Sequence, residues 1–215
     1  MSPKPDVSEE RKNQILDSAT KVFVEYGFGN ARMDDIVAES GLSKGALYWY
    51  FKGKDEIISG ILNRFASKMF DNMESILDTR GDPLEKLNQI TTWTIKELQL
   101  MRPLMPLLID FYSLGLRNKS VRNVIKPMLH RFVSMAVPVI DEGIETGLFT
   151  RVDSTEAALT IGAVLEGTLL LWSFDQDIMD MELQLEMGMK LVIRGLMASG
   201  NEEKNDQNQT GDKPE

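Results

Sequence analysis

The sequence contains no cysteine. That excludes disulfides, thiol nucleophiles and every Cys-ligated zinc or iron–sulfur site. It has one histidine, His130, which leaves little room for a His-based metal site or a Ser-His-Asp relay. It has no glycine-rich loop of the kind that cradles phosphates, and no long β-branched alternating run. The first residues, MSPKPDVSEERKNQ, carry no apolar run behind their positive charges. A secretory signal is therefore not expected, and a cytoplasmic location is. No cofactor or metal site is expected either. Asp175, Asp177 and Glu186 stand at positions 1, 3 and 12 of a calcium loop, but Met179 and Asp180 fill the places that need an oxygen ligand and a glycine.

What is present is 215 residues, 42% hydrophobic and 27% charged, with a formal net charge of −9. This is ordinary soluble composition, enough for one large domain or for a small one joined to a larger one. Such acidity argues against coating nucleic acid through bulk charge. The charge is uneven, however: within residues 40–54 the only charged groups are Lys44, Lys52 and Lys54.

Apolar residues recur at three and four along most of the chain, so the expected fold class is all-α. Helices are expected over 9–26, 33–40, 43–51, about 54–77, 83–101, 103–117, 119–146, 154–173 and 180–198. Gly27, Gly41, Lys52-Gly53, Gly81-Asp82-Pro83 and Gly147 provide the breaks. Pro106, Pro127 and Pro138 are possible kinks. From residue 200 the chain is polar and acidic, and a disordered tail is expected.

The segments 33–40 and 43–51 read as a helix–turn–helix. Ile36 and Val37 face inward, Gly41 turns sharply, and Leu42 and Leu47 close a small core. In this motif the second helix enters the major groove. Ser43 and Lys44 offer donors at its start. Gly45 and Ala46 allow close approach, and Tyr48, Trp49 and Tyr50 offer flat surface and donors. Helical hairpins are also common structural units, and aromatic residues at helical spacing often form core. But three consecutive rings, about 100° apart, cannot all face one core, so at least one must be exposed beside the lysines.

GFGNARMDDIVAESGLSKGALYWYFKGKDEII resembles the DNA-binding signature of the TetR family of transcriptional regulators, over about residues 9–58. EGIETGLFTRVDSTEAA (142–158) is a weaker echo. The resemblance implies an N-terminal three-helix helix-turn-helix domain over 1–53 and a larger C-terminal helical ligand-binding and dimerisation domain over 54–199. It implies that Lys44 and Gly45 reach bases, and that Tyr48, Trp49 and Tyr50 meet phosphates and thymines. It also implies that Lys54 grips a phosphate. Ala31 and Arg32 depart from the family's small hydroxyl residues. Arg32 is expected to contact phosphate by charge, with the helix cap lost or moved to Asn30.

In the C-terminal part, residues 157–174 contain one charge, Glu166. They approach a membrane span in composition, but that reading is rejected because Glu166 sits mid-segment among acidic flanks. The helix is expected to be deeply buried. With the stripe Met181, Leu185, Gly188, Met189, Val192 and Leu196, it is expected to form a homodimer interface through helices 154–173 and 180–198. A monomer core built from the same two helices is the plainer alternative. Residues expected to bind a small-molecule effector are Phe65, Met69, Trp93, Met105, Phe111, Tyr112 and Phe132, with Glu166 as a buried polar anchor. The expected function is a repressor that leaves a palindromic, double-stranded operator when a small apolar or amphipathic ligand binds. The rivals are a helix–turn–helix interaction module without operator binding, and an all-α enzyme.

Overall fold

The computed structural model describes residues 7–198. The expected acidic tail, 200–215, lies outside them. The chain is all-α. Its helices are α1 (Val7–Asn30), α2 (Met33–Ser40), α3 (Lys44–Tyr50), α4 (Lys54–Leu77), α5 (Pro83–Met101), α6 (Met105–Arg117), α7 (Lys119–Glu145), α8 (Ser154–Phe174) and α9 (Met181–Leu196). A 3₁₀ turn, Arg102–Leu104, joins α5 to α6. Two left-handed glycines set the N-terminal geometry. Gly27, at φ 73°, breaks α1 three residues before its end, and Gly41, at φ 65°, ends α2. α7 continues across the exposed Pro127 and Pro138, where freed carbonyls can meet water.

The described residues form two compact units, 7–70 with 101–129, and 71–100 with 130–198. α4 and α7 supply residues to both. The first unit contains the described part of the 1–53 segment and also the first part of α4, α6 and the start of α7.

The core of the first unit is built on the α1 stripe Ile15, Leu16, Ala19, Val22 and Phe23. Against it pack Ile36 of α2, Leu47 of α3, Phe51, and Ile57, Ile58, Ile61 and Leu62 of α4. Leu107 and Phe111 of α6 and Val121 of α7 complete the cluster. The helix–turn–helix is therefore too small to bury its own faces, and α4 and α6 cover them.

In the second unit, α8 and α9 pack together along one face of each. α8 buries Ala158, Ile161, Thr168, Leu169 and Trp172. α9 buries Met181, Leu185, Met189, Ile193 and Leu196. Their approach is close at Gly188, where a Cβ would stand 2.6 Å from Val164. The α9 stripe expected to meet a partner subunit is thus the face that packs inside its own chain. Other apolar residues point outward. They are Leu159, Leu170, Leu171 and Phe174 on α8, and Leu183, Met187 and Leu191 on α9. α8 is therefore not buried all round, as expected, but buried along one stripe and open along another. It is long and apolar enough to cross a membrane by length and composition alone. Asp175 accepts from the backbone N–H groups of Asp177 and Ile178 at 3.0 and 3.2 Å. Asp180 caps α9 by accepting from Leu183 N–H at 2.8 Å.

Candidate nucleic-acid interface

The recognition helix is held by local chemistry. The Ser43 hydroxyl caps α3 by accepting from the Ala46 N–H at 3.2 Å. Leu47 and Phe51, 0% and 4% exposed, anchor its inner face. The outer face carries Ser43, Lys44, Gly45, Tyr48 and Trp49, all exposed. A Cβ on Gly45 would meet nothing within 4 Å, so the backbone is open to close approach. Trp49 is the outermost ring, 79% exposed, against 36% for Tyr48. Tyr50 is half-buried and packs on the core. The three rings thus diverge as helical geometry requires.

Lys44 does not stand free. Its Nζ lies 2.6 Å from Asp34 Oδ1 on α2. The hydrogen bond to Asp34, and then its charge, raise the Lys44 pKa above the ordinary lysine value. Because the folded-state pKa is raised, this pair persists through neutral pH and is lost only as pH climbs through that value. Lys44 therefore stays cationic through neutral pH, and contact with DNA would require it to exchange Asp34 for an acceptor there. Lys44→Ala is expected to weaken specific binding by about 1–3 kcal/mol and leave the oligomeric state intact. Asp34→Asn, which removes the competing carboxylate, is expected to strengthen binding. Mobility-shift titration of both variants checks this, and an unchanged affinity in Lys44→Ala would remove Lys44 from the readout.

Lys54, carried over by resemblance, has further partners within the chain. The Lys54 Nζ donates to the carbonyls of Phe28 at 2.6 Å and Gly29 at 3.3 Å, and lies 4.7 Å from the Phe28 ring centroid. The terminal carbonyls of α1 lack intrahelical partners and attract a cation. Lys54 in the free chain therefore ties α1 to α4, a role the resemblance did not carry. Lys52 likewise donates to the Tyr48 carbonyl at 3.1 Å and closes α3. Arg32 is exposed at the N-cap of α2, and its backbone N–H donates to Asp35 Oδ2 at 2.7 Å. Asp35 thus serves the entry to α2. Asn30, expected as the displaced cap, instead donates to the Tyr26 carbonyl of α1 at 3.2 Å.

An apolar cavity of about 30 Å³ lies in the second unit. Met73 and Leu77 of α4, Leu87 and Ile90 of α5, and Phe132, Met135, Ala136 and Val139 of α7 line it, with Ile161 of α8 and Met189 of α9. Of the eight expected effector contacts, Phe132 alone lines it. Trp93 belongs to the same unit but not to the wall. Phe65, Met69, Met105, Phe111 and Tyr112 belong to the first unit, where Phe111 is core. Glu166, expected as a buried anchor, is exposed. It lies two residues, about 200° of helical turn, from the inward Thr168. The wall carries a readable signal. Phe132, Met135, Ala136 and Val139 recur at three and four, as do Met73 with Leu77 and Leu87 with Ile90.

Comparison with known proteins places this geometry. Residues 15–61 match the model for bacterial regulatory proteins of the tetR family. Residues 83–196 match that for the C-terminal part of BetI-type transcriptional repressors. The chain is 22% identical over 185 residues to the fatty acid metabolism regulator protein of Bacillus subtilis, covering 85% of this chain and 94% of that one. The fold is similar to that of FadR from Bacillus subtilis in complex with stearoyl-CoA, with a TM-score of 0.74 at 22% identity, over 86% of this chain and 98% of that one. It is also similar to a structure from Saccharomonospora viridis in complex with choline, with a TM-score of 0.78 at 20% identity, over 88% and 98%. Fold and helix–turn–helix together define a DNA-binding transcriptional regulator. The chain belongs to the tetR family.

Proposed function

We propose that the protein is a cytoplasmic, homodimeric repressor whose action is binding rather than catalysis, and that an apolar acyl chain releases it from a palindromic operator. The observation that carries the DNA half is the outer face of α3. An exposed Trp49, a backbone opened by Gly45 and a Lys44 cation share one short helix. Ser43, Tyr48, Tyr50, Arg32 and Lys54 flank or support this face. Dimerisation is supported by the outward apolar residues of α8 and α9. Leu171, Phe174, Leu183 and Leu191 are each more than 60% exposed, and a soluble chain rarely leaves such a patch uncovered. A twofold pair presents two recognition helices to two half-sites.

The effector reading rests on the cavity wall. All ten lining residues are apolar, and three are methionines, whose flexible side chains adapt to a guest. A quaternary ammonium ligand would favour a cage of aromatic rings, and Phe132 is the single aromatic present. An acyl chain fits this chemistry better, and its entry requires the wall to open, since about 30 Å³ is far smaller than a ligand pocket. The test is a mobility shift on the DNA upstream of the protein's own gene, with acyl-CoA of graded chain length added. Salt-sensitive binding that long acyl chains dissolve is expected. Operator binding that survives every chain length would overturn the effector assignment.

A further inference from the structure

The longest acid-free stretch of charge in the chain is not the recognition helix. From Phe111 through Ile140 there is no aspartate or glutamate, while Arg117, Lys119, Arg122, Lys126 and Arg131 fall within it. In a chain of net charge −9 this is a local reversal of sign. The first four of these residues belong to the first unit, the same compact body as the helix–turn–helix.

The corner between α6 and α7 is built firmly and placed next to the DNA-facing elements. Asn118 donates through Nδ2 to Asp55 Oδ2 at 2.6 Å. Its Oδ1 accepts from the backbone N–H groups of Ser120 and Val121, which caps α7. Arg122 closes the end of α6 by donating to the Gly115 carbonyl at 3.0 Å and to that of Leu116. Asp55 lies in the first turn of α4, one residue after Lys54 and five after the end of α3. Arg117 and Lys119 flank Asn118 directly, so each Cα is about 3.8 Å from that of Asn118. Both are exposed, and neither pairs with a carboxylate among the described residues. They differ in this from Lys44, which Asp34 occupies. The helix–turn–helix therefore has, beside the start of α4, two uncommitted cations on a braced corner.

We infer that the α6–α7 corner is a second phosphate-binding patch, in which Arg117 and Lys119 grip the DNA backbone outside the bases that α3 reads. The inference rests on the DNA-binding reading of α3. Charge complementarity and continuity with that face select duplex DNA as the occupant. Such contacts carry no sequence information, but they set affinity and its salt dependence.

The test compares full-length protein with the Arg117→Gln/Lys119→Gln variant by fluorescence anisotropy across a salt series. Two duplexes are used, one trimmed to the protected upstream site and one with flanking DNA on each side. On the flanked duplex the variant is expected to bind at least about tenfold more weakly at low salt. Its slope of log affinity against log salt should be shallower by about 3.6, about 0.9 for each of four contacts per dimer. The preference for the site over scrambled DNA should be unchanged, and Arg117→Lys/Lys119→Arg should keep the original slope. Matching melting curves establish that the exposed substitutions leave the fold intact. Equal slopes and affinities, with the unmodified protein binding normally, would overturn the inference and leave the α3 reading standing. So would a variant altered only in its release by acyl-CoA. Failure of the unmodified protein to bind either duplex would instead overturn the α3 reading, and this inference with it.

Discussion

Replacing Leu171 and Leu191 with aspartate is expected to yield a folded monomer whose operator affinity is lower by about 10²–10⁴-fold. The two leucines are 61% and 62% exposed in the single chain, so the substitutions disturb no packing within it. In a twofold interface each aspartate would place a charge against apolar surface with no partner, which is strongly unfavourable. The loss in DNA binding follows from geometry rather than from any change at α3. A dimer makes its second half-site contact intramolecularly, at high effective concentration, and a monomer loses that advantage. Sedimentation measures the first effect and a mobility shift the second. Aspartate on the inward stripe, for example at Leu185, which is 2% exposed, should instead unfold the second unit. A Leu171→Asp/Leu191→Asp variant that remains dimeric would place the interface elsewhere.

Phe111→Ala is expected to cost about 3–5 kcal/mol of stability, a large share of the roughly 5–15 kcal/mol that holds a domain folded. Phe111 is 3% exposed and packs in the cluster that supports α1, α2 and α3. On the same helix, the Asp110 carboxylate accepts from the Phe28 N–H at 3.3 Å. Removing the ring leaves a cavity under the helix–turn–helix, so melting temperature and DNA binding should fall together. The sequence alone suggested an effector contact here. A variant with unchanged melting and unchanged operator affinity, but with no response to ligand, would restore that earlier reading.

The difference between these two readings of Phe111 shows what the sequence carries. The helix–turn–helix was legible because its constraints are local. Gly41 needs a left-handed turn, Ser43 caps the next helix, and three adjacent rings cannot share one face. Helix existence was equally legible, since periodicity and breakers are local too. Which face of a helix meets which neighbour is not local. α9 is apolar on two stripes, and nothing in its pattern says which one packs against α8 and which remains open. Glu166 looked buried because its neighbours are apolar, yet it turns outward between the two stripes. Lys54 and Lys44 show the same limit for charge. Their positions were plain, but Phe28, Gly29 and Asp34, which occupy them, become neighbours only in the folded chain. The cavity wall joins five helices, and its residues share no stretch of sequence.

The central claim is that two copies of α3 enter successive major grooves of one duplex. Methylation-interference and hydroxyl-radical footprinting on the upstream DNA test it most directly. The account predicts two protected patches on one face of the helix, centred about 34–36 Å or a multiple of that apart, with guanine contacts in the major groove that disappear in Lys44→Ala. A single unpaired patch, or uniform protection without groove contacts, would contradict it, whereas the same footprint in Lys44→Ala would remove only Lys44 from the readout.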